Sequence, residues 1–153
     1  MDLVDRKILN LLQSDASLTV KQIAGQVHLS VTPCWKRIQK LEMQGIIRAR
    51  VALLDPEKVD ANVTVFVAIK TDQHSTQRIE RFSSAVSDMP EVMEIYRMSG
   101  EVDYLLKVVV SSIDAYDRFY RNLVDRIELS NITSSFAMEQ MKYTTALPIK
   151  AGD

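Results

Sequence analysis

The chain has 153 residues, 19 Lys+Arg against 20 Asp+Glu, 46% hydrophobic residues and only four Gly and four Pro, which excludes collagen-like, low-complexity and wholly disordered classes and suits one domain or two small ones. No apolar run approaches the roughly 18 residues of a membrane span, and the opening Met1-Asp2-Leu3-Val4-Asp5-Arg6-Lys7 runs into an amphipathic pattern instead of a signal-peptide core. One cysteine and two distant histidines supply neither an internal disulfide nor a zinc cluster, so a cytoplasmic protein without metal, cofactor or membrane partner is expected. Split at Asp55-Pro56, residues 1–54 hold eight Lys/Arg and four acids, and the remainder 11 and 16. A basic N-terminal third on an acidic body points to two modules, the first facing a polyanion; the alternative is two solvated surfaces.

Val4, Ile8, Leu11 and Leu12 fall at i, i+4, i+7 and i+8 and predict a first helix that stops at Ser14-Asp15. Thr19 is an N-cap residue for a second, with Val20, Ile23, Ala24 and Val27 on one face and Gly25 inside it at some cost in propensity. Ser30 caps a third helix over 31–44 whose buried stripe is Cys34, Ile38 and Leu41. Pro33 takes its third position, where a missing N–H loses no intrahelical bond, and Gly45 stops it. Three short helices with a tight His28-Leu29 connection are the layout of a helix-turn-helix, whose last helix enters the major groove of DNA. Residues 46–54 read as a strand with Arg48 and Arg50 on one face, a wing beside that helix.

Beyond a linker at 55–60, an offset of 40 residues brings 65–69 onto 105–109, Arg78 onto Arg118 and 92–98 onto 132–138. Each half reads strand, helix, strand. One helix starts near Ser75 or Thr76 and carries Ile79, Phe82 and Val86; the other starts near Ser112 and carries Tyr116, Phe119, Leu123 and Ile127. The order βαββαβ is the ferredoxin-like α+β plan, expected over 61–153, and the open sheet face of so small a domain is expected to pack on a second copy.

Thr32-Pro33-Cys34-Trp35-Lys36-Arg37, Ala52-Leu53-Leu54-Asp55-Pro56-Glu57-Lys58, Gly100-Glu101-Val102-Asp103-Tyr104 and Met138-Glu139-Gln140, in this order along nearly the whole chain, resemble the leucine-responsive/asparagine-regulator (Lrp/AsnC, feast/famine) family of transcriptional regulators. The resemblance implies a winged helix-turn-helix over 1–54 joined to a ligand-binding domain. It also implies homodimers that assemble further, often to octamers, a response to a small amino acid, and no enzymatic activity. Pro33-Cys34-Trp35-Lys36-Arg37 combined with Ser134-Ser135-Phe136-Ala137-Met138-Glu139-Gln140 resembles the branch whose members often govern sulfur-containing or other amino-acid catabolism, which points to cysteine, methionine or a related effector.

Ser30, Val31, Thr32, Pro33, Lys36, Arg37 and Lys40 lie at the start and on the outer face of the third helix, where double-stranded DNA offers phosphates and base edges. The alternative is an ordinary solvated helix face, with Ser30 first of all a cap. Arg48 and Arg50 sit where a wing touches the DNA backbone, or are solvated strand charges. Trp35 is expected to pack against the first helix or the wing instead of stacking on DNA. Cys34 is read as a small core hydrophobe and not a redox sensor, His28 as a turn residue and His74 as a surface residue.

Gly100 before a strand allows close approach of backbone to a ligand, and the Asp103 carboxylate can pair with an α-ammonium group. The same residues also make a plain turn in which Gly100 supplies positive φ and Asp103 caps the strand. Under the resemblance this loop and the last strand of a neighbouring subunit form the effector pocket, at Met98, Gly100, Glu101, Val102, Asp103 and Tyr104, with Ser134, Ser135 and Ala137. Two other classes stand beside a responsive regulator: an effector-independent architectural DNA-binding protein using its C-terminal half only to oligomerise, and an enzyme, for which no nucleophile–base pair, metal cluster or phosphate loop is visible at recognisable spacing.

Overall fold

A computed structural model of the chain describes residues 1–71, 76–126 and 131–150, of which 76–81 by backbone alone. The readings of His74, Ser75 and Ile127, and of the side chains of Arg78 and Ile79, lie outside these residues. The chain forms two compact units, one of Met1–Ala52 with the tail that starts at Met141, the other of Leu53–Gln140. No helix among the described residues is long and apolar enough to cross a membrane.

The first unit holds α1 (Leu3–Ser14), α2 (Val20–Gln26) and α3 (Val31–Met43). Two capping boxes start the first pair: Asp2 and Asp5 exchange side-chain bonds with each other's backbone N–H, and Thr19 and Gln22 do the same. The expected apolar stripes meet in one core of Ile8, Leu9 and Leu12, Ile23, Ala24 and Val27, and Cys34, Ile38 and Leu41. Each fully buried Leu or Ile contributes roughly 1.5–3 kcal/mol.

The last two helices stop in the same way. Leu29 N–H donates to Ala24 O and His28 N–H to Gly25 O behind α2; Ile46 N–H donates to Leu41 O and Gly45 N–H to Glu42 O behind α3. Both are Schellman motifs, which need a left-handed residue just past the helix. Gly45 takes that place at φ 68°, and His28 takes it at φ 56° without the freedom of a glycine.

One expectation is corrected in this unit. Residues 46–54 form no strand, because no other segment of the described chain offers them a ladder. The tail 141–150, expected within the C-terminal domain, packs in the compact unit of the three helices. Arg6, Asn10 and Gln13 make one polar stripe along α1, and all three donate to tail carbonyls: Nη1 to Lys150 O at 2.9 Å, Nδ2 to Ile149 O at 3.3 Å and Nε2 to Leu147 O at 2.8 Å. Leu147 N–H returns a bond to Gln13 Oε1, and Ile149 packs on the helical core.

The second unit opens with a 3-10 turn, Pro56–Val59, and continues through β1 (Val63–Lys70), α4 (Thr76–Ser87), β2 (Val92–Arg97), β3 (Tyr104–Val110), α5 (Ile113–Arg126) and β4 (Asn131–Phe136). The strands form an antiparallel sheet in the order β2-β3-β1-β4, the ferredoxin-like arrangement. Val65, Val67 and Ile69 alternate onto the helix-covered face with Tyr104, Leu106, Val108 and Val110, against Phe82, Val86 and Met89 and against Tyr116, Phe119 and Leu123. Among the described residues of this unit, no helix lies over the opposite face. It carries Phe66, Leu105 and a polar cluster in which the Tyr96 hydroxyl and Lys107 Nζ both donate to the Glu94 carboxylate. Those two donors, the tyrosine first, hold Glu94 below the usual carboxylate range.

Candidate nucleic-acid interface and effector region

With Cys34, Ile38 and Leu41 turned inward, helical spacing places Thr32, Trp35, Lys36, Gln39, Lys40 and Met43 along the outer side of α3. Lys36, Lys40 and Arg48 are exposed and make no ion pair among the described residues. Ser30 is the N-cap residue as expected, yet its hydroxyl makes no cap bond. Among the described residues nothing bonds the Ser30 hydroxyl or the N–H groups of Val31 and Thr32, and Pro33 has no N–H to satisfy, so the helix start can receive an anion.

Arg37 is differently placed. Its Nη1 bonds Asp2 Oδ2 at 2.6 Å and Asp5 Oδ1 at 2.7 Å, joining α3 to the carboxylates of the α1 capping box. Asp2 is held below the usual carboxylate range by the Asp5 backbone N–H and then by Arg37, and the guanidinium is held more firmly protonated in turn, by Asp5 first. Arg50 is also committed, through Nη2 to Glu42 Oε1 at 2.8 Å, while Gln39 Nε2 donates to the other oxygen of Glu42. Burial pushes the Cys34 thiol up, as befits a core residue.

Trp35 corrects an expectation. It is not a packed residue of the helical core but stands 49% exposed in the middle of the outer stripe. The signal was present in the sequence, since Trp35 lies three residues after Thr32 and four before Gln39.

The loop 98–103 turns at Gly100, whose φ of 126° few other residues adopt. Asp103 Oδ2 accepts from Thr71 N–H at 2.7 Å and Thr71 Oγ1 at 3.2 Å, which ties the loop to the end of β1. Met98, Glu101 and Val102 lie around this turn, Met98 40% exposed. Tyr104 does not line the open face: its ring is buried under α4, stacked on Phe82 at a centroid distance of 4.3 Å. Ser134 also faces the helices, bonded to the Tyr116 hydroxyl, whereas Ser135 is exposed opposite Phe66. Burial, more than any charge, pushes the Tyr116 hydroxyl up.

One chain keeps Ala137 apart from the loop 98–103, whereas Ser134 and Ser135 stand opposite Val67 and Phe66, two and three residues from Ile69 along β1. Ala137 donates to Thr64 O at the start of β1, while Asp103 lies beside Ile69 and Thr71 at its end. Five or more residues of strand separate them, about 17 Å or more.

Residues 1–48 match the family model for winged helix-turn-helix DNA-binding and residues 64–147 the model for the Lrp/AsnC ligand binding domain. The chain is 52% identical to the DNA-binding transcriptional activator DecR of Escherichia coli K12, over 98% of this chain and 99% of that protein. Among solved structures it is similar to an AsnC family transcriptional regulator from Agrobacterium tumefaciens, at 59% identity and a TM-score of 0.94 over 97% of each chain. It is similar also to a transcriptional regulator from Neisseria meningitidis in complex with L-Met, at 34% identity and a TM-score of 0.91 over 97% of this chain and 96% of that one. Both halves thus match in order, relatives align from end to end, and the chain belongs to the Lrp/AsnC family.

Proposed function

We propose that this protein is a sequence-specific DNA-binding transcriptional regulator, acting in the cytoplasm and without enzymatic activity, whose assembly or DNA binding responds to a small amino acid and which controls amino-acid metabolism. The observation that carries the DNA half is the outer side of α3, where Lys36 and Lys40, in no ion pair among the described residues, follow an uncapped helix start along one side. Ser30, Val31, Thr32, Pro33 and Arg48 extend this contact surface. Arg37 and Arg50 support it from behind, since both are engaged with carboxylates.

For the effector half, the separation along β1 between the loop 98–103 and Ala137 supports a pocket completed by a second chain. The uncovered face of Phe66, Leu105 and Tyr96 is where we place the homodimer contact, with assembly to an octamer beyond it. Met98, Gly100, Glu101, Val102 and Asp103 then meet Ser135 and Ala137 of another copy. The relative solved with L-Met supports methionine, cysteine or a close analogue as effector.

A thermal-shift screen of the full chain against the twenty amino acids tests this half. A ligand at 100 times its Kd stabilises the folded state by about 2.7 kcal/mol. Silence across the screen with DNA binding intact selects the architectural reading, which one observation favours: Asp103, Tyr104 and Ser134 all have side chains engaged within their own chain.

A further inference from the structure

We propose that Trp35 is a specificity-determining residue of the DNA interface, its indole reading a thymine in the major groove. This rests on the DNA-binding reading above and adds to it a residue, a base and a contact. Trp35 is the fifth of the 13 residues of α3, in the half of the helix that meets base edges in helix-turn-helix complexes. It is 49% exposed, no aromatic ring stacks on it and its Nε1–H makes no hydrogen bond among the described residues. Nor can it turn inward, because the neighbouring Cys34 is fully buried and the core side of α3 is taken by Ile38 and Leu41. The exposed part of so large a side chain gains nothing in the free chain, yet it is flanked by Lys36 and, one turn on, Lys40, whose charges make no ion pair among the described residues and can hold the helix against phosphates.

The side chain's chemistry selects the base. Indole offers an apolar face and one donor, and no acceptor. Cytosine presents an amino donor in the major groove, and adenine an N7 acceptor beside an amino donor; an indole cannot satisfy either amino group, and neither base offers an apolar group. Guanine presents acceptors but no apolar group. Thymine presents a methyl group beside the O4 acceptor, and so matches both parts of the ring.

The test uses the full-length protein and a 30-base-pair duplex, about three helical turns, selected by that protein from a random pool. Trp35 is the single tryptophan, so its emission reports on this position alone. The selected duplex should shift the emission to the blue and protect it from acrylamide, whereas a scrambled duplex of equal length should do so far less. Replacing contacted thymines by uracil removes only the methyl group, and should weaken native binding about fourfold per contact while leaving the affinity of Trp35→Ala unchanged. Trp35→Ala should lower the ratio of selected to scrambled affinity about tenfold, where Lys36→Ala lowers both affinities together.

Unchanged quenching on the selected duplex overturns the inference, as does an equal loss on both duplexes in Trp35→Ala. A blue shift that grows with protein concentration before DNA is added also overturns it, because a second copy then covers the ring. If no duplex is selected at all, the DNA-binding reading falls and this one with it; if a duplex is bound and Trp35 stays silent, this one falls alone.

Discussion

Arg37 Nη1 lies 2.7 Å from Asp5 Oδ1, and the other oxygen of that carboxylate accepts the Asp2 backbone N–H at the start of α1. One side chain therefore closes the helix cap and fastens α3 to α1. Removing Arg37 leaves two carboxylates facing each other across a half-exposed site, where an ion pair contributes about 1 kcal/mol or less. Arg37→Ala should accordingly lower the melting temperature of the helical unit by a few degrees. It should leave the salt dependence of DNA binding unchanged, whereas Lys36→Ala should reduce that log–log slope by about 0.9 for one lost phosphate contact. Equal slopes in the two variants would mean that Arg37 too reaches the backbone.

The same contact sets a pH dependence. The Asp2 carboxyl titrates below its ordinary value, through the Asp5 N–H and then Arg37, so the folded state favours its charged form. Its contribution is present above the unfolded pKa of about 3.9 and is lost as pH falls through the lower folded value. Acid melting of the helical unit should steepen below about pH 4, and less so in Asp2→Asn, which keeps a good cap residue. Circular dichroism melts at stepped pH measure the difference, and parallel curves would show that Asp2 does not set it.

Arg37 also marks where sequence reading stops. Helical spacing found α1, α2 and α3, because apolar period reports directly on which face is buried, and the 40-residue offset found the segments that form β1, β2, β3 and β4. No local pattern pairs Arg37 with carboxylates 32 and 35 positions away. Tyr104 was a different case: it shares its face with Leu106, Val108 and Val110, so alternation alone assigns its ring to the core, and the family motif hid a signal that was there. Residues 46–54 have strand-forming composition, but a strand exists only with a partner, which composition does not supply.

Asp103 separates a cap from a ligand group. Its carboxylate accepts two bonds from Thr71, and an amide in its place retains an oxygen that can accept them. Asp103→Asn should therefore keep the Thr71 bonds and melt above Asp103→Ala in the free protein. It should abolish the thermal shift produced by an amino-acid effector, because the charge opposite the α-ammonium is gone. Asp103→Ala, which loses the Thr71 bonds as well, should melt lower even without ligand. An Asp103→Asn protein that still responds at the native ligand concentration would reduce Asp103 to a structural cap.

Gly25 and His28 sit on either side of one helix end with their residue types in the wrong places. Gly25 is in the interior of α2, exposed, with nothing within 4 Å of an added Cβ, so Gly25→Ala should stabilise by about 0.5–1 kcal/mol. His28 holds a left-handed conformation that costs an L-residue roughly 1–2 kcal/mol. His28→Gly relieves that strain, offset in part by the greater entropy of glycine in the unfolded chain, and should stabilise by about 0.5–1 kcal/mol. Chemical denaturation of each variant checks both; a loss of stability in His28→Gly would mean that the imidazole makes contacts that matter more than its backbone strain.

The tail docks on α1 through backbone carbonyls, which any residue supplies, so its docking depends on the α1 side chains and on Ile149. Gln13 makes two of the bonds, accepting from Leu147 N–H and donating to Leu147 O, at a typical net value of about 0.5–1.5 kcal/mol each. Ile149 adds a partly buried apolar side chain against the helical core. Gln13→Ala and Ile149→Ala should each destabilise the helical unit by about 1–2 kcal/mol, and each should speed amide hydrogen exchange in the tail before it speeds exchange in α3. Gln13→Glu is the sharper variant: it keeps the acceptor for Leu147 N–H but sets a carboxylate against Leu147 O, so it should melt near Gln13→Ala and recover toward the native value as acid protonates it. A Gln13→Glu melt that does not improve between neutral pH and about pH 4 would show that the carbonyl of Leu147 is not what Gln13 holds.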